Sequence, residues 1–483
     1  MRLGGLISSG KASLGVRANV IWYAVPRFLG KASAFLLLPL YTRVLPPSEF
    51  GVAVTVLAAT GILGLVVAPG MEGIYLRWVY RRDSSGASRS SMEGTVVAMH
   101  LSFLVVGTAL LLLFAEPVSR ILLPGIPAWP FYYVALVSVA LSTLGAPRQA
   151  LWRVQHRADK VARLQLFHAV VSTTVILVAL LVLEWGAVSI LLGDLVAAIA
   201  LTPFYLRPIV GGLRSGFDHL LLRSMAPIAM ATALQTFASW GLSGLERLLL
   251  TGLAGPAELG VYAAGYQIGG VVFFAAIILN KEWQTLIFDL AAGPKTGRDV
   301  LQGLWTHTLC LFLVAGMLMS VFSRPIVTIV LGPDYSGSST VIPFVAALGV
   351  LRAATLFPHN LSWAVGRLQD STVAMLTAVG VLVAACVILI PELGAVGAAW
   401  SCLAAYLVHW LLLFTRSWNF FRLTWVHGAL SMLFVFAAYA GAVGQGTMTL
   451  AVLQIAVPVL VVRQALSFWR FLGRIQVGTQ PGQ

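Results

Sequence analysis

The sequence predicts an all-α polytopic membrane protein with two parallel, pseudo-symmetric six-helix lobes and two additional C-terminal helices, about 14 transmembrane helices in all. Three observations support this fold class. Hydrophobic residues make up 59% of the 483 residues and charged residues only 10%. Apolar stretches of membrane-spanning length alternate with short basic loops, and motifs of the first half recur in the second. Such a composition excludes a soluble globular chain.

Apolar windows between charged residues or Pro and Gly breaks define the predicted spans. Each window is long enough as a helix to cross a hydrocarbon core of about 30 Å. The windows run approximately over residues 19–40, 51–68, 94–115, 129–146, 164–183, 186–206, 225–250, 260–280, 303–322, 341–364, 372–390, 394–415, 427–444 and 447–462.

Six segments follow from this division of the chain. They are a cytoplasmic N-terminus (1–18), an N-lobe of spans one to six (19–206), a cytoplasmic linker (207–224), a C-lobe of spans seven to twelve (225–415), two additional C-terminal spans (427–462) and a cytoplasmic tail (463–483).

The basic loops predict the orientation, because Lys and Arg collect on the cytoplasmic side of a membrane. With a cytoplasmic N-terminus, only Arg43, Arg120 and Arg324 of the loop cations fall outside. Both termini are therefore predicted cytoplasmic. The net charge of +14 is explained by this asymmetry, and we infer no nucleic-acid partner from it.

An internal repeat relates the two lobes. Residues 49–52 (EFGV) recur as residues 258–261 (ELGV), and residues 184–188 (EWGAV) recur as residues 392–396 (ELGAV), each roughly 210 residues later. Trp152, Val154 and Asp159 likewise match Trp363, Val365 and Asp370. Because the unit contains an even number of spans, the copies enter the membrane in the same direction and form parallel repeats.

Two cations lie near the centre of the first span. Arg27 and Lys31 are four residues apart and so share one helical face, where each charge costs about 2.5–3.5 kcal/mol on insertion scales. They could snorkel or pair with acidic residues elsewhere in the bundle. We favour a hydrated cavity in which both cations serve an anionic ligand, because a mid-span side chain is too short to reach the headgroups.

The other ionisable residues within the spans are few. Arg247 and Arg352 would assist anion binding, whereas Asp194 and Glu246 are candidates for proton or sodium coupling. The structural alternatives are a self-satisfied Glu246–Arg247 pair and a hydrogen-bonded or protonated buried acid at Asp194. Histidines occur at positions 100, 168, 307, 359 and 409, and we expect them to be satisfied bundle residues.

Known catalytic motifs are missing from the sequence. It contains no phosphate-binding loop, no HExxH, no DxD and no GxSxG, and its three cysteines show no metal-ligand spacing. We therefore predict a protein that is not an enzyme and that holds no metal and no cofactor.

Residues 45–52 (LPPSEFGV), 257–262 (AELGVY) and 390–399 (IPELGAVGAA) resemble the signature segments of the polysaccharide-export flippases. These are the Wzx-type flippases of the multidrug/oligosaccharidyl-lipid/polysaccharide superfamily. Residues 27–30 (RFLG) match the Arg-x-Leu-Gly motif of the related peptidoglycan-precursor flippases, which implies a cavity-lining role for Arg27. Residues 264–267 (AGYQ) lack the basic residue that those relatives have there, which argues against a lipid II flippase.

The resemblance implies a transporter that moves a polyprenyl-pyrophosphate-linked oligosaccharide to the outer leaflet of a bacterial inner membrane by alternating access. Its expected partners are the lipid-linked glycan, membrane lipids and other polysaccharide assembly proteins. The alternative within the superfamily is an ion-coupled multidrug antiporter, which an acid-lined cavity would favour. Outside transport, a membrane enzyme acting on lipid-linked sugars and a scrambling or scaffold protein stay open.

Overall fold

The computed structural model describes residues 35–70, 89–155, 157–213, 216, 218–291, 296–364 and 368–417. Within these ranges the secondary structure is helical, with short turns between helices and no strand. The predicted all-α polytopic fold is therefore confirmed.

The helices are numbered here in chain order. They are α1 (Phe35–Val44), α2 (Pro47–Val67), α3 (Arg89–Leu113), α4 (Ala115–Leu122), α5 (Phe131–Thr143), α6 (Ala146–Val154), α7 (Ala158–Leu181), α8 (Val188–Leu213), α9 (His219–Ala254), α10 (Pro256–Ala291), α11 (Thr296–Val321), α12 (Ser323–Val330), α13 (Ser338–Ala364) and α14 (Leu368–Ser417).

Nine helices in the described part of the chain are long and apolar enough to cross a membrane. They match the predicted spans two to six and eight to twelve, because α14 contains two spans that meet at a break. Gly394 has a φ of +52° at that break, a left-handed conformation that favours glycine. Most of the first predicted span and both additional C-terminal spans lie outside the described residues.

The described residues divide into two compact units, with the boundary between Leu259 and Gly260. The first unit includes α9, which packs on α2 and α3, although the sequence places this span in the C-lobe. The boundaries of the two six-span lobes stay a prediction.

Helix α2 is the centre of the first unit, where it packs against α3, α5 and α9. A buried hydrogen bond of 2.8 Å joins the hydroxyls of Thr55 on α2 and Thr251 on α9. Nearby, a Cβ at Gly61 would overlap the indole ring of Trp240. These contacts hold α9 close to α2, as hydroxyl and small residues commonly do between membrane helices.

Helix α13 is the most buried span of the second unit and packs against α11 and α14. Glycines allow close approach between α10 and α13. Gly265 and Gly269 of α10 face the carbonyl oxygens of Ser338 and Ile342, and Gly349 of α13 faces the backbone nitrogen of Phe273. This is the small-residue packing expected of helices in a membrane.

Two short helices that the sequence did not predict occupy equivalent places in the repeat. Helix α4 follows α3 and helix α12 follows α11, and each is an eight-residue amphipathic segment. Pro117 and Pro325 occupy the same position in the two segments, at the repeat spacing. Gly186 and Gly394 also share a positive φ, of +56° and +52°. The internal repeat is thus visible in backbone detail as well as in sequence.

Candidate functional site

The first pair of predicted site residues, Arg27 and Lys31, lies outside the described residues. The described part of their predicted span begins at Phe35 and forms the short helix α1. Their role in anion binding stays a prediction that rests on sequence.

Glu246 and Arg247 are neighbours near the end of α9. The side chain of Glu246 is 1% exposed, and its Oε1 lies 3.6 Å from Nε of Arg247, whose side chain is 27% exposed. The two side chains thus form an ion pair whose N–O distance is longer than a hydrogen bond. An anion-binding role for Arg247 and an ion-coupling role for Glu246 stay predictions.

Asp194 on α8 belongs to a polar group contributed by three helices. Ser172 of α7 donates a hydrogen bond of 3.2 Å to its Oδ1. His168 of α7 and the buried Tyr41 of α1 are close enough to interact with the carboxylate electrostatically. The close approach of α7 and α8 depends on Gly193, where a Cβ would meet the carbonyl oxygen of Ser172 at 2.8 Å. A carboxylate among hydroxyl and imidazole groups is suited to exchange a proton or bind a small cation.

In the second unit, the structure brings Arg352 and two histidines together. The Arg352 guanidinium lies 5.8 Å from the centre of the Phe273 ring, and it interacts electrostatically with His359 and His409. These residues come from α13 and α14. One guanidinium and two imidazoles therefore share one region within a single unit.

The polar atoms of this cluster are buried to different degrees. His409 is 0% exposed, and neither of its ring nitrogens has a hydrogen-bond partner among the described residues. Nε of Arg352 is also buried without a partner in this part of the chain, although the whole residue is partly exposed. His359 is held by Ser371, whose Oγ lies 3.0 Å from its Nδ1.

The grouping of Arg352 with the histidines was missed from the sequence. Arg352 and His359 are seven residues apart on one helix and therefore share a face, which is the one available signal. His409 belongs to the following long helix, and only the packing of α14 on α13 brings it to the same place. The expectation that all five histidines are satisfied bundle residues is not met by His409 within the described ranges.

The first signature segment is fixed to a distant turn of the same unit. Oε2 of Glu49, in the first turn of α2, accepts a hydrogen bond of 3.2 Å from the backbone nitrogen of Ala187. A Cβ at Gly186 would collide with the same carboxylate, so the approach requires glycine. This contact, the Glu49 clasp, joins the glutamate of one repeated motif to the glycine and alanine of another.

Comparison with known proteins identifies the family. The model of a family described as polysaccharide biosynthesis protein matches residues 40–340, which is more than half of the chain. A comparison with curated proteins gives no match.

Several solved structures share the fold at low sequence identity. The chain is similar to the lipid II flippase MurJ in an inward closed conformation, with 12% identity, a TM-score of 0.71, and coverage of 94% of this chain and 99% of that one. It is also similar to an inward-facing multidrug resistance MATE family transporter of the MOP superfamily, at 12% identity and a TM-score of 0.61, covering 87% and 98%. A variant of the Vibrio cholerae MATE transporter VcmN gives 12% identity and a TM-score of 0.54, covering 85% and 99%. At these identities the similarity shows the fold alone.

Proposed function

The chain belongs to the polysaccharide biosynthesis protein family, and from this premise we propose that it translocates a polyprenyl-pyrophosphate-linked oligosaccharide across a bacterial inner membrane. The observation that carries the proposal is the family match over 40–340 in a chain built from membrane-spanning helices. A polysaccharide biosynthesis protein of this kind can act on a precursor that is itself anchored in the bilayer. The fold shared with a lipid II flippase is consistent with this cargo.

The proposed headgroup site consists of Arg27 and Lys31, assisted by Arg247, whereas Arg352 belongs to the cluster with His359 and His409 in the second unit. A pyrophosphate that enters the protein loses part of its hydration shell, and charge-assisted hydrogen bonds from Arg and Lys replace it. Rocking of two lobes would then expose the headgroup to the other side while the lipid tail stays in the bilayer. The termini are proposed to lie in the cytoplasm, and other polysaccharide assembly proteins are proposed partners.

Asp194 is the better supported of the two proposed coupling residues, because its carboxylate has a hydroxyl donor and an imidazole neighbour. Glu246 is the second candidate. Binding of a proton or sodium ion at Asp194 would change the local charge and so favour one conformation of the transporter over another.

The second candidate function is an ion-coupled multidrug antiporter. The similarity in fold to MATE transporters and the polar group around Asp194 favour it. The two functions differ in cargo. Loss of a flippase should cause the lipid-linked oligosaccharide to accumulate, whereas loss of an antiporter should cause cationic drugs to accumulate.

The test of the proposed function measures the sidedness of the lipid-linked oligosaccharide in cells depleted of the protein. We expect the glycan carrier to accumulate in the cytoplasmic leaflet and wild-type protein to restore its transfer. An unchanged distribution, in cells shown to have no redundant flippase, would contradict the proposal. Increased retention of cationic drugs in the same cells would support the antiporter instead.

Replacement of Asp194 by asparagine is expected to uncouple transport from the ion gradient, because the amide keeps the hydrogen-bonding shape but can neither ionise nor be protonated. In proteoliposomes, transport by wild type should depend on an imposed proton or sodium gradient, whereas transport by Asp194→Asn should not respond to it. Glu184→Gln is a matched control, because Glu184 is exposed in the turn between α7 and α8. A variant that keeps the full gradient response would exclude Asp194 from coupling.

A further inference from the structure

Arg352 has no counter-charge among the side chains that the structure describes in the second unit. It lies in an apolar span, Ser338–Ala364, and no carboxylate with a described side chain forms an ion pair with it. Asp370 on the adjacent helix is already engaged by Arg416. An isolated charge at membrane depth is costly and requires water, a counter-charge or an anionic ligand.

The ring nitrogens of His409, in the same region, have no hydrogen-bond partner among the described residues. A fully buried imidazole offers at least one N–H donor, and buried polar side chains in native proteins are nearly always hydrogen-bonded. Both ring nitrogens of His409 lack partners among the described residues, as does the buried Nε1 of Trp363, whose ring lies 5.7 Å from that of His359. The unmatched groups of α13 and α14 therefore include several donors.

We propose that Arg352, His359 and His409 form a binding site for a small monovalent inorganic anion, such as chloride, within the second unit. One negative charge balances the single permanent charge of Arg352, and donors from α13 and α14 replace the hydration of the anion. A doubly charged phosphate would cost more to desolvate, since the solvation energy of an ion rises with the square of its charge, and would leave a net negative charge.

Aromatic rings line the site beside the guanidinium. Phe273 lies beneath the guanidinium, and its ring is 6.1 Å from that of Tyr406, which in turn is 6.3 Å from the His409 ring. Arg352 is partly exposed and His409 is fully buried, so the arginine marks the side from which an anion enters. Because the donors come from α13 and α14, an anion bound here would tie these two helices together.

This inference does not depend on the cargo. The site lies inside one unit, and it would exist in a flippase and in a multidrug antiporter alike. Its predicted consequence is that the stability of the protein, and the population of the conformation in which these helices are packed, depend on chloride.

The test uses the full chain in nanodiscs, with chloride exchanged for gluconate at constant ionic strength. We expect chloride to raise the thermal unfolding temperature of the wild type. In His409→Phe, the chloride concentration needed for the same rise should be about tenfold higher or more. His307→Phe is the matched control, since the His307 ring lies on α11 of the same unit and Nδ1 is 2.7 Å from the Gly303 carbonyl oxygen. It should retain the wild-type response.

Binding is measured directly by the line width of the 35Cl NMR signal, which does not require an unfolding transition. Excess broadening by wild type and by His307→Phe, but not by His409→Phe, supports the site. Equal broadening by all three proteins overturns it, and so does an absence of broadening by the wild type. Stabilisation by undecaprenyl pyrophosphate or inorganic phosphate, with no effect of chloride, would also overturn it and show that the cluster binds phosphate groups.

Discussion

Replacing Arg27 and Lys31 together with alanine is expected to reduce translocation of the lipid-linked oligosaccharide by about a hundredfold or more. A hydrogen bond to a charged group contributes about 1.5–3 kcal/mol, so loss of two such contacts to a pyrophosphate removes roughly 3–6 kcal/mol. The readout is the fraction of carrier accessible from outside in depleted cells that express the double variant. Membrane abundance of the variant is measured in the same cells.

Arg43→Ala provides the control for this prediction. Arg43 is an exposed cation at the end of α1, and it lies on the side that the basic loops predict to be outside. It should restore carrier transfer to the wild-type level. If the double variant also restores transfer at normal abundance, the two mid-span cations do not serve the headgroup and the pairing alternative is the better interpretation.

Replacing Gly349 with valine is expected to prevent stable assembly of the second unit. An added Cβ would lie 2.7 Å from the backbone nitrogen of Phe273 and 2.9 Å from the backbone carbon of Val272, so the helices α10 and α13 must separate. Overpacking costs about 1–3 kcal/mol where side chains can adjust, and more when the obstacle is backbone. We expect loss of the monodisperse protein in detergent and a much reduced yield from the membrane.

Gly380→Val is the matched control for this prediction. Gly380 lies on α14 of the same unit, and a Cβ there would have no neighbour within 4 Å. This variant should give wild-type yield and unfolding temperature. Normal yield of Gly349→Val as well would show that the two helices tolerate a wider separation than the structure indicates.

The sequence predicted the fold well because the bilayer leaves few alternatives. Backbone polar groups in hydrocarbon must be satisfied within each segment, so an apolar window of sufficient length is a helix. The repeat also indicated the break in α14, because it aligns Gly394 with Gly186 in the turn between the fifth and sixth spans. The hydropathy pattern missed α4 and α12, since an eight-residue amphipathic helix is too short to stand out in such a window.

The sequence predicted less of the candidate site than of the fold. Arg352 was identified from its charge, because a cation in an apolar span is conspicuous on its own. His409 was not, since a histidine in a span is unremarkable until the packing shows that its nitrogens are buried without partners among the described residues. Asp194 was identified, but Ser172 and His168, which surround its carboxylate, come from a different helix.

The Glu49 clasp has a consequence for how the protein is made. Its two partners, Glu49 and Ala187, are 138 residues apart in the chain. At a synthesis rate of about 5–20 residues per second, Ala187 leaves the ribosome roughly 7–28 s after Glu49. The early helices must therefore enter the membrane and stay there before the hydrogen bond between Ala187 and Glu49 can form. A chain released before the sixth span would lack this contact, which fixes the beginning of α2.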